Sequence, residues 1–110
     1  PKGAAPGACA AAAAMALGNL LGLVCDPVAG LVEVPCVKRN ASGVAGAFVA
    51  AELALAGIGS VIPPDEAILA MKRVGDAMHP ALKETAEGGL AATPTACRLQ
   101  HELLGRDAWQ

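Results

Sequence analysis

Cys25 and Cys36 stand eleven positions apart in "LGLVCDPVAGLVEVPCVKRNASG", residues 21–43, and the stretch between them carries Pro27, Gly30 and Pro35. Proline removes a backbone donor and restrains its predecessor, while glycine admits positive φ, so no continuous helix runs through this stretch. Valines at 24, 28, 32, 34 and 37 would permit a short strand, but the glycine and prolines interrupt the alternation and a turn is predicted instead. Thiols that flank such a turn meet backbone N–H groups without helical partners. That is a setting for thiolate metal ligation, iron-sulfur sites included, because amide donors to sulfur compensate the charge of the centre. Spacing alone is a weak metal signal, and inert buried cysteines are the alternative. Two thiolates leave a ligand set incomplete, so a third ligand must come from elsewhere.

Other chemistry is scarce. The chain has no glycine-rich phosphate loop with its lysine, no CxxC and no HExxH, and its two histidines are His79 and His101. His79 precedes Pro80 in a loop and reads as a surface residue; His101 falls on a charged terminal helix, so a hydrolase triad is unsupported. Asp26 reads as a turn former that bonds to backbone amides rather than as a base.

The elements that must position these residues follow from composition. At 110 residues the chain is one domain's worth at most, and 55% apolar content with a mean hydropathy of +0.49 excludes disorder. Alanine, leucine and valine dominate, with Phe48 and Trp109 as the aromatic residues, which suits thin helices at close approach. A domain this small has a high ratio of surface to volume, so this much apolar surface is expected to find cover from polypeptide outside the chain. A subunit or a fragment is inferred, and Pro1 in place of Met fits a piece of something longer or a processed terminus.

A net charge of -2 and a pI near 5.6 offer no basic face for nucleic acid, and the pairs Lys38-Arg39 and Lys72-Arg73 read as solvated helix ends. The apolar stretches 8–24 and 41–58 are buried helices rather than membrane spans, since Gly18-Asn19 interrupts the first and Glu52 falls in the second. No export signal is legible, so a cytoplasmic, reducing compartment is expected, where thiols serve metals, catalysis or burial.

The pattern predicts an all-α, compact bundle of short, Ala-rich helices around the Pro/Gly-interrupted, cysteine-bearing turn. Helices are expected near 8–20; near 41–56, with Asn40 or Ser42 as cap, Phe48, Ala51 and Leu55 on one face and Gly57 as terminator; from Pro64 onward; and near 96–104. In the third, Asp65 and Glu66 complement the N-terminal dipole, and Ile68, Met71, Val74 and Met78 recur at helical spacing as core packing. "HPALKETAEGGLAATPT" reads as a loop with a short helical turn.

"NLLGLVCDPVAGLVEVPCVKRNASG", followed in order by "LALAGIGSVIPPDEAILAMKRVG" and "ALKETAEGGLAATPT", resembles the alpha chain, or catalytic domain, of iron-sulfur L-serine dehydratases, from about Ala12 to Gly105. The resemblance implies an all-helical catalytic fold and a four-iron, four-sulfur (4Fe-4S) cluster whose open iron acts as a Lewis acid on the serine hydroxyl. The implied reaction takes L-serine to pyruvate and ammonia without pyridoxal phosphate, a step in amino-acid degradation and gluconeogenesis. Loss of water gives an enamine, which becomes an imine and hydrolyses. By the same resemblance Cys25 and Cys36 are cluster ligands.

The family's remaining ligand lies in an upstream "GCQ" segment that Cys9 does not match, so residues 1–110 are expected to be the C-terminal part of the catalytic domain. Implied partners are L-serine, the remainder of the alpha chain and a beta chain or domain. Cys97 stands eight positions after Gly89, about where some members carry a cysteine that occupies the open iron; a free thiol on a terminal helix is the alternative. Lys83, Glu84 and Thr85 are candidate catalytic residues, and they or Lys38, Arg39 and Asn40 are candidates for binding the substrate's carboxylate or ammonium, with capping and solvent exposure as the alternative. Two other classes stay open: a truncated, non-catalytic helical subunit that packs against other dehydratase chains, and a different iron-sulfur hydro-lyase with a related turn.

Overall fold

Pro6 sits in the first turn of α1 (Pro6–Gly18), where a missing N–H costs nothing, and the alanine run behind it has the highest helix propensity of any residue type. The computed structural model describes residues 3–105 and continues through α2 (Cys36–Leu55), α3 (Pro64–Ala77) and α4 (Pro94–Leu104). Single 3-10 turns lie at Val28–Gly30, Pro80–Leu82 and Gly89–Ala92. Among the described residues there is no strand, only an isolated parallel bridge between Cys25 and Lys83, so the chain is all-α as the sequence predicts. Pro1 and Trp109 lie outside the described residues.

The fold divides into two compact units. Residues up to 23 together with 41–77 form the first, in which α1 packs on α3; residues 24–40 together with 78 onward form the second, in which α4 packs on the Val28–Gly30 and Gly89–Ala92 turns. The cysteine turn and "KETAEGGLAATPT" both belong to the second unit.

One helix start differs from the sequence expectation. Helix α2 begins at Cys36, five residues before the predicted 41, because Pro35 lies just ahead of the first turn, where its fixed φ and lack of a donor are no handicap. Asn40 is therefore no cap; its side chain donates to the Cys36 carbonyl at 2.9 Å from inside the helix. The predicted terminator holds: Gly57 adopts φ 90, its N–H donates to Ala54 O at 3.1 Å, and Ile58 N–H reaches back to Leu53 O at 3.0 Å, closing a Schellman motif. Helix α4 begins at Pro94, two residues before the predicted 96, with Thr93 Oγ1 accepting from Ala96 N–H at 3.4 Å.

The faces of α2 and α3 also differ. Ala50 and Ala54 of α2 are buried, and on the face that carries Phe48, Ala51 and Leu55, Phe48 is 67% exposed, Leu55 42% and Ala51 half-buried. In α3 Ala67 is buried and Met71 half-buried, but Ile68 is 56% exposed, one position off the inward stripe. Every buried hydrophobic residue described is an alanine, and the largest fully buried side chain is Asp26. Small side chains let backbones approach, but burying a methyl stabilises far less than the roughly 1.5–3 kcal/mol of a buried leucine or valine. Many of the large apolar side chains are exposed instead, among them Val44, Phe48, Val49 and Ile68. No described helix is long and apolar enough to cross a membrane.

Candidate metal centre

The turn that carries the two cysteines closes on itself. Val28 N–H donates to Val34 O at 2.9 Å, Leu31 N–H to Val28 O at 2.9 Å and Gly30 N–H to Pro27 O at 3.1 Å. Ala29 at φ 53 and Gly30 at φ 74 reverse the chain, and the Val34–Pro35 peptide is cis. Left-handed backbone costs an alanine about 1–2 kcal/mol; Ala29 accepts that cost with its methyl group buried in the second unit. The closure brings Cys25 and Cys36 close enough for the Cys36 side chain to act on the ionisation of Cys25, with neither in a disulfide.

Cys25 is also tied to the "KET" segment. Its N–H donates to Leu82 O at 2.9 Å and its carbonyl accepts from Thr85 N–H at 3.4 Å. Burial pushes the Cys25 thiol above its ordinary pKa and the neighbouring Cys36 adds to the rise, while the Glu84 backbone amide works against both. Two sulfurs this close resist ionising side by side; a metal ion between them supplies the positive charge that makes both thiolates stable. The donor set thus suits a soft, sulfur-seeking metal or an iron-sulfur cluster. No group of three or more His, Cys, Asp or Glu able to hold a metal occurs among the described residues.

Next to Cys25, Asp26 is 1% exposed and both of its oxygens are engaged. Oδ1 accepts from Arg39 Nη1 at 2.6 Å, and Oδ2 accepts from the Leu90 N–H at 2.6 Å. Burial alone would raise the Asp26 carboxyl; the Leu90 amide and the Arg39 guanidinium outweigh it and hold the group below the usual carboxylate range. With the folded pKa below the unfolded one, this stabilisation is present above about pH 4 and is lost as the pH falls through the lowered value. The expected bond to a backbone amide is therefore real, but the amide belongs to a residue 64 positions away.

A cavity of about 760 Å³ opens beside this arrangement, lined by Pro27 and Gly30 of the cysteine turn, Glu84 to Glu87, Ala91 and Ala92, and Cys97, Gln100 and His101 of α4. The family model described as serine dehydratase alpha chain matches residues 2–91. The chain belongs to the serine dehydratase alpha-chain family.

A "Probable L-serine dehydratase, alpha chain" of Bacillus subtilis (strain 168) is 59% identical over 103 residues, which are 94% of this chain and 34% of that one. A protein of the same printed name from Latilactobacillus sakei is 60% identical over 94 residues, 86% of this chain and 45% of the relative. The "L-serine dehydratase, alpha chain" of Peptoniphilus asaccharolyticus is 53% identical over 93 residues, 84% of this chain and 32% of the relative. The chain thus spans 32–45% of the length of these relatives. No solved structure matches it.

Within this alpha-chain region, the residues singled out in the sequence fall as follows. Lys38 and Asn40 are exposed on the first turn of α2, while Arg39 Nη1 is committed to Asp26 and, at 2.5 Å, to the Val24 carbonyl. Lys83 and Glu84 are exposed, Glu84 at φ 59, and the Thr85 hydroxyl donates to Ala81 O and accepts from Glu87 N–H at 3.2 Å, which holds the loop in shape. Cys97 is exposed on the cavity side of α4, its Sγ 3.9 Å from Ala91 O. Cys9 lies in α1 and is exposed. Gln100 and His101 join Cys97 on one face of α4; the i, i+3, i+4 spacing carried that signal, which the surrounding charges obscured.

Proposed function

We propose that this chain is the C-terminal part of the catalytic domain of an iron-sulfur L-serine dehydratase, converting L-serine to pyruvate and ammonia in a reducing, cytoplasmic setting. The observation that carries the reading is the juxtaposition of Cys25 and Cys36 by a closed turn, with the Cys25 backbone bonded to Leu82 and Thr85 on either side of Glu84. Cys25 and Cys36 would hold a four-iron, four-sulfur cluster with a third cysteine from elsewhere in the protein. When bound, the cluster supplies a Lewis-acidic iron toward the substrate hydroxyl. The Glu84 amide offsets charge on sulfur, as amide donors do at such centres. Glu84 and Glu87 on the cavity wall suit a substrate ammonium, and the exposed Lys38 and Lys83, which do not line the cavity, are the candidates for its carboxylate. Anaerobic expression of the complete alpha chain with its partner chain should give a brown protein that releases pyruvate from L-serine. An iron-loaded preparation that forms no pyruvate would contradict the assignment.

A second reading, a non-catalytic subunit that packs against other dehydratase chains, draws on the outward apolar face of α2, where Val44, Phe48 and Val49 are each more than half exposed. Both readings require polypeptide over that face. Expressed alone, the 110 residues should therefore bind an apolar dye strongly and sediment as species heavier than the 10.8 kDa monomer. A sharp, dye-silent monomer in analytical ultracentrifugation would show that nothing needs to cover it.

A further inference from the structure

Three segments meet at one carboxylate. Asp26 directly follows Cys25, Arg39 lies three residues after Cys36, and Leu90 belongs to the Gly89–Ala92 turn whose Ala91 and Ala92 line the cavity. Each Asp26 oxygen has its own partner at 2.6 Å, and Arg39 Nη1 bridges further to Val24 O at 2.5 Å, just ahead of Cys25. The approach is close enough that a Cβ on Gly89 would fall 2.8 Å from Asp26 Cγ.

A buried ion pair is a poor way to add stability, because apolar residues of similar volume often do as well or better; its distinctive property is direction. We propose that Asp26 is a positioning residue, which locks the segment after each cysteine to the cavity wall so that the two sulfurs and the cavity keep one spacing. The proposal rests on the thiolate reading above. It adds a role for a group that acts through Cys25 and the Leu90 amide, its two oxygens being held by Arg39 and Leu90.

The test uses the complete, iron-loaded enzyme with Asp26→Asn, and with Arg39→Lys beside Arg39→Met. Asparagine keeps the size of the side chain but turns one acceptor oxygen into a donor, so either Arg39 or the Leu90 N–H loses its partner. In Asp26→Asn the Leu90 amide should exchange its hydrogen at least about tenfold faster, since its protection depends on one charge-assisted bond. Bound iron should remain near the parent level while the electron paramagnetic resonance line shape of the reduced cluster shifts, and KM for L-serine should rise about tenfold with a smaller change in kcat. Arg39→Lys should recover part of the Leu90 protection that Arg39→Met loses.

Unchanged Leu90 exchange, line shape and KM in Asp26→Asn would overturn the positioning role while the thiolate assignment stood, provided that Cys25→Ser lost its iron. Full iron in Cys25→Ser would instead overturn the thiolate assignment itself. Should Asp26→Asn fail to accumulate as folded protein, the Arg39 pair decides: equal Leu90 protection in Arg39→Lys and Arg39→Met overturns the proposal.

Discussion

Cys25→Ser and Cys36→Ser, each introduced into the complete alpha chain, are expected to leave a colourless protein without bound iron and to reduce pyruvate formation by at least about a thousandfold. A serine hydroxyl is nearly isosteric with the thiol, so the turn should still close through Val28 N–H and Val34 O. What is lost is the soft, readily ionised donor. Serine does not ionise near neutrality and is a poor ligand for iron-sulfur centres, and the remaining sulfur then has no partner across the turn. Iron assay, visible absorption and coupled detection of pyruvate read the result. Cys9→Ser is the matching control, because Cys9 is exposed on the other unit and lines neither the cysteine turn nor the cavity; it should keep both iron and turnover.

The second large effect is structural. Gly89→Ala should lower the stability of the second unit by roughly 3 kcal/mol or more, from two causes that act together. Gly89 adopts φ 58, a conformation that costs an alanine about 1–2 kcal/mol. Its Cβ would also lie 2.8 Å from Asp26 Cγ and 2.9 Å from Asp26 Cβ, so the turn must withdraw and leave a buried carboxylate oxygen without its Leu90 donor. Gly88 is hemmed in differently, with a Cβ there meeting Ala81 O at 2.8 Å, at ordinary negative φ. The denaturant midpoint of the complete chain reads the loss. A midpoint within about 0.5 kcal/mol of the parent would show that the turn is not pinned as described.

Much of this was legible in the residues. Proline and glycine between Cys25 and Cys36 foretold the broken helix, because they act on local backbone geometry, and the same holds for Gly57 as terminator and Pro64 as initiator. The start of α2 was misplaced because Asn40 and Ser42 are good caps in isolation while Pro35, five residues earlier, already satisfies the helix entry. Helix faces were harder. Periodicity points the largest apolar side chains inward, and here α2 and α3 bury Ala50, Ala54 and Ala67 while Phe48 and Ile68 face out, a pattern consistent with further polypeptide over those faces. The Asp26–Arg39–Leu90 arrangement was the least visible, since an amide 64 positions away leaves no local trace beyond a paired glycine. Asp26 could be read as a carboxylate seeking amides, but not which amides it would find.

The most direct test of the account is the iron and acid-labile sulfide content of the complete enzyme, isolated without oxygen and titrated against its L-serine turnover. Activity that rises in proportion to iron, and falls to nothing when iron and sulfide are removed and returns when they are restored, is the predicted result. Full turnover from protein containing neither would contradict it.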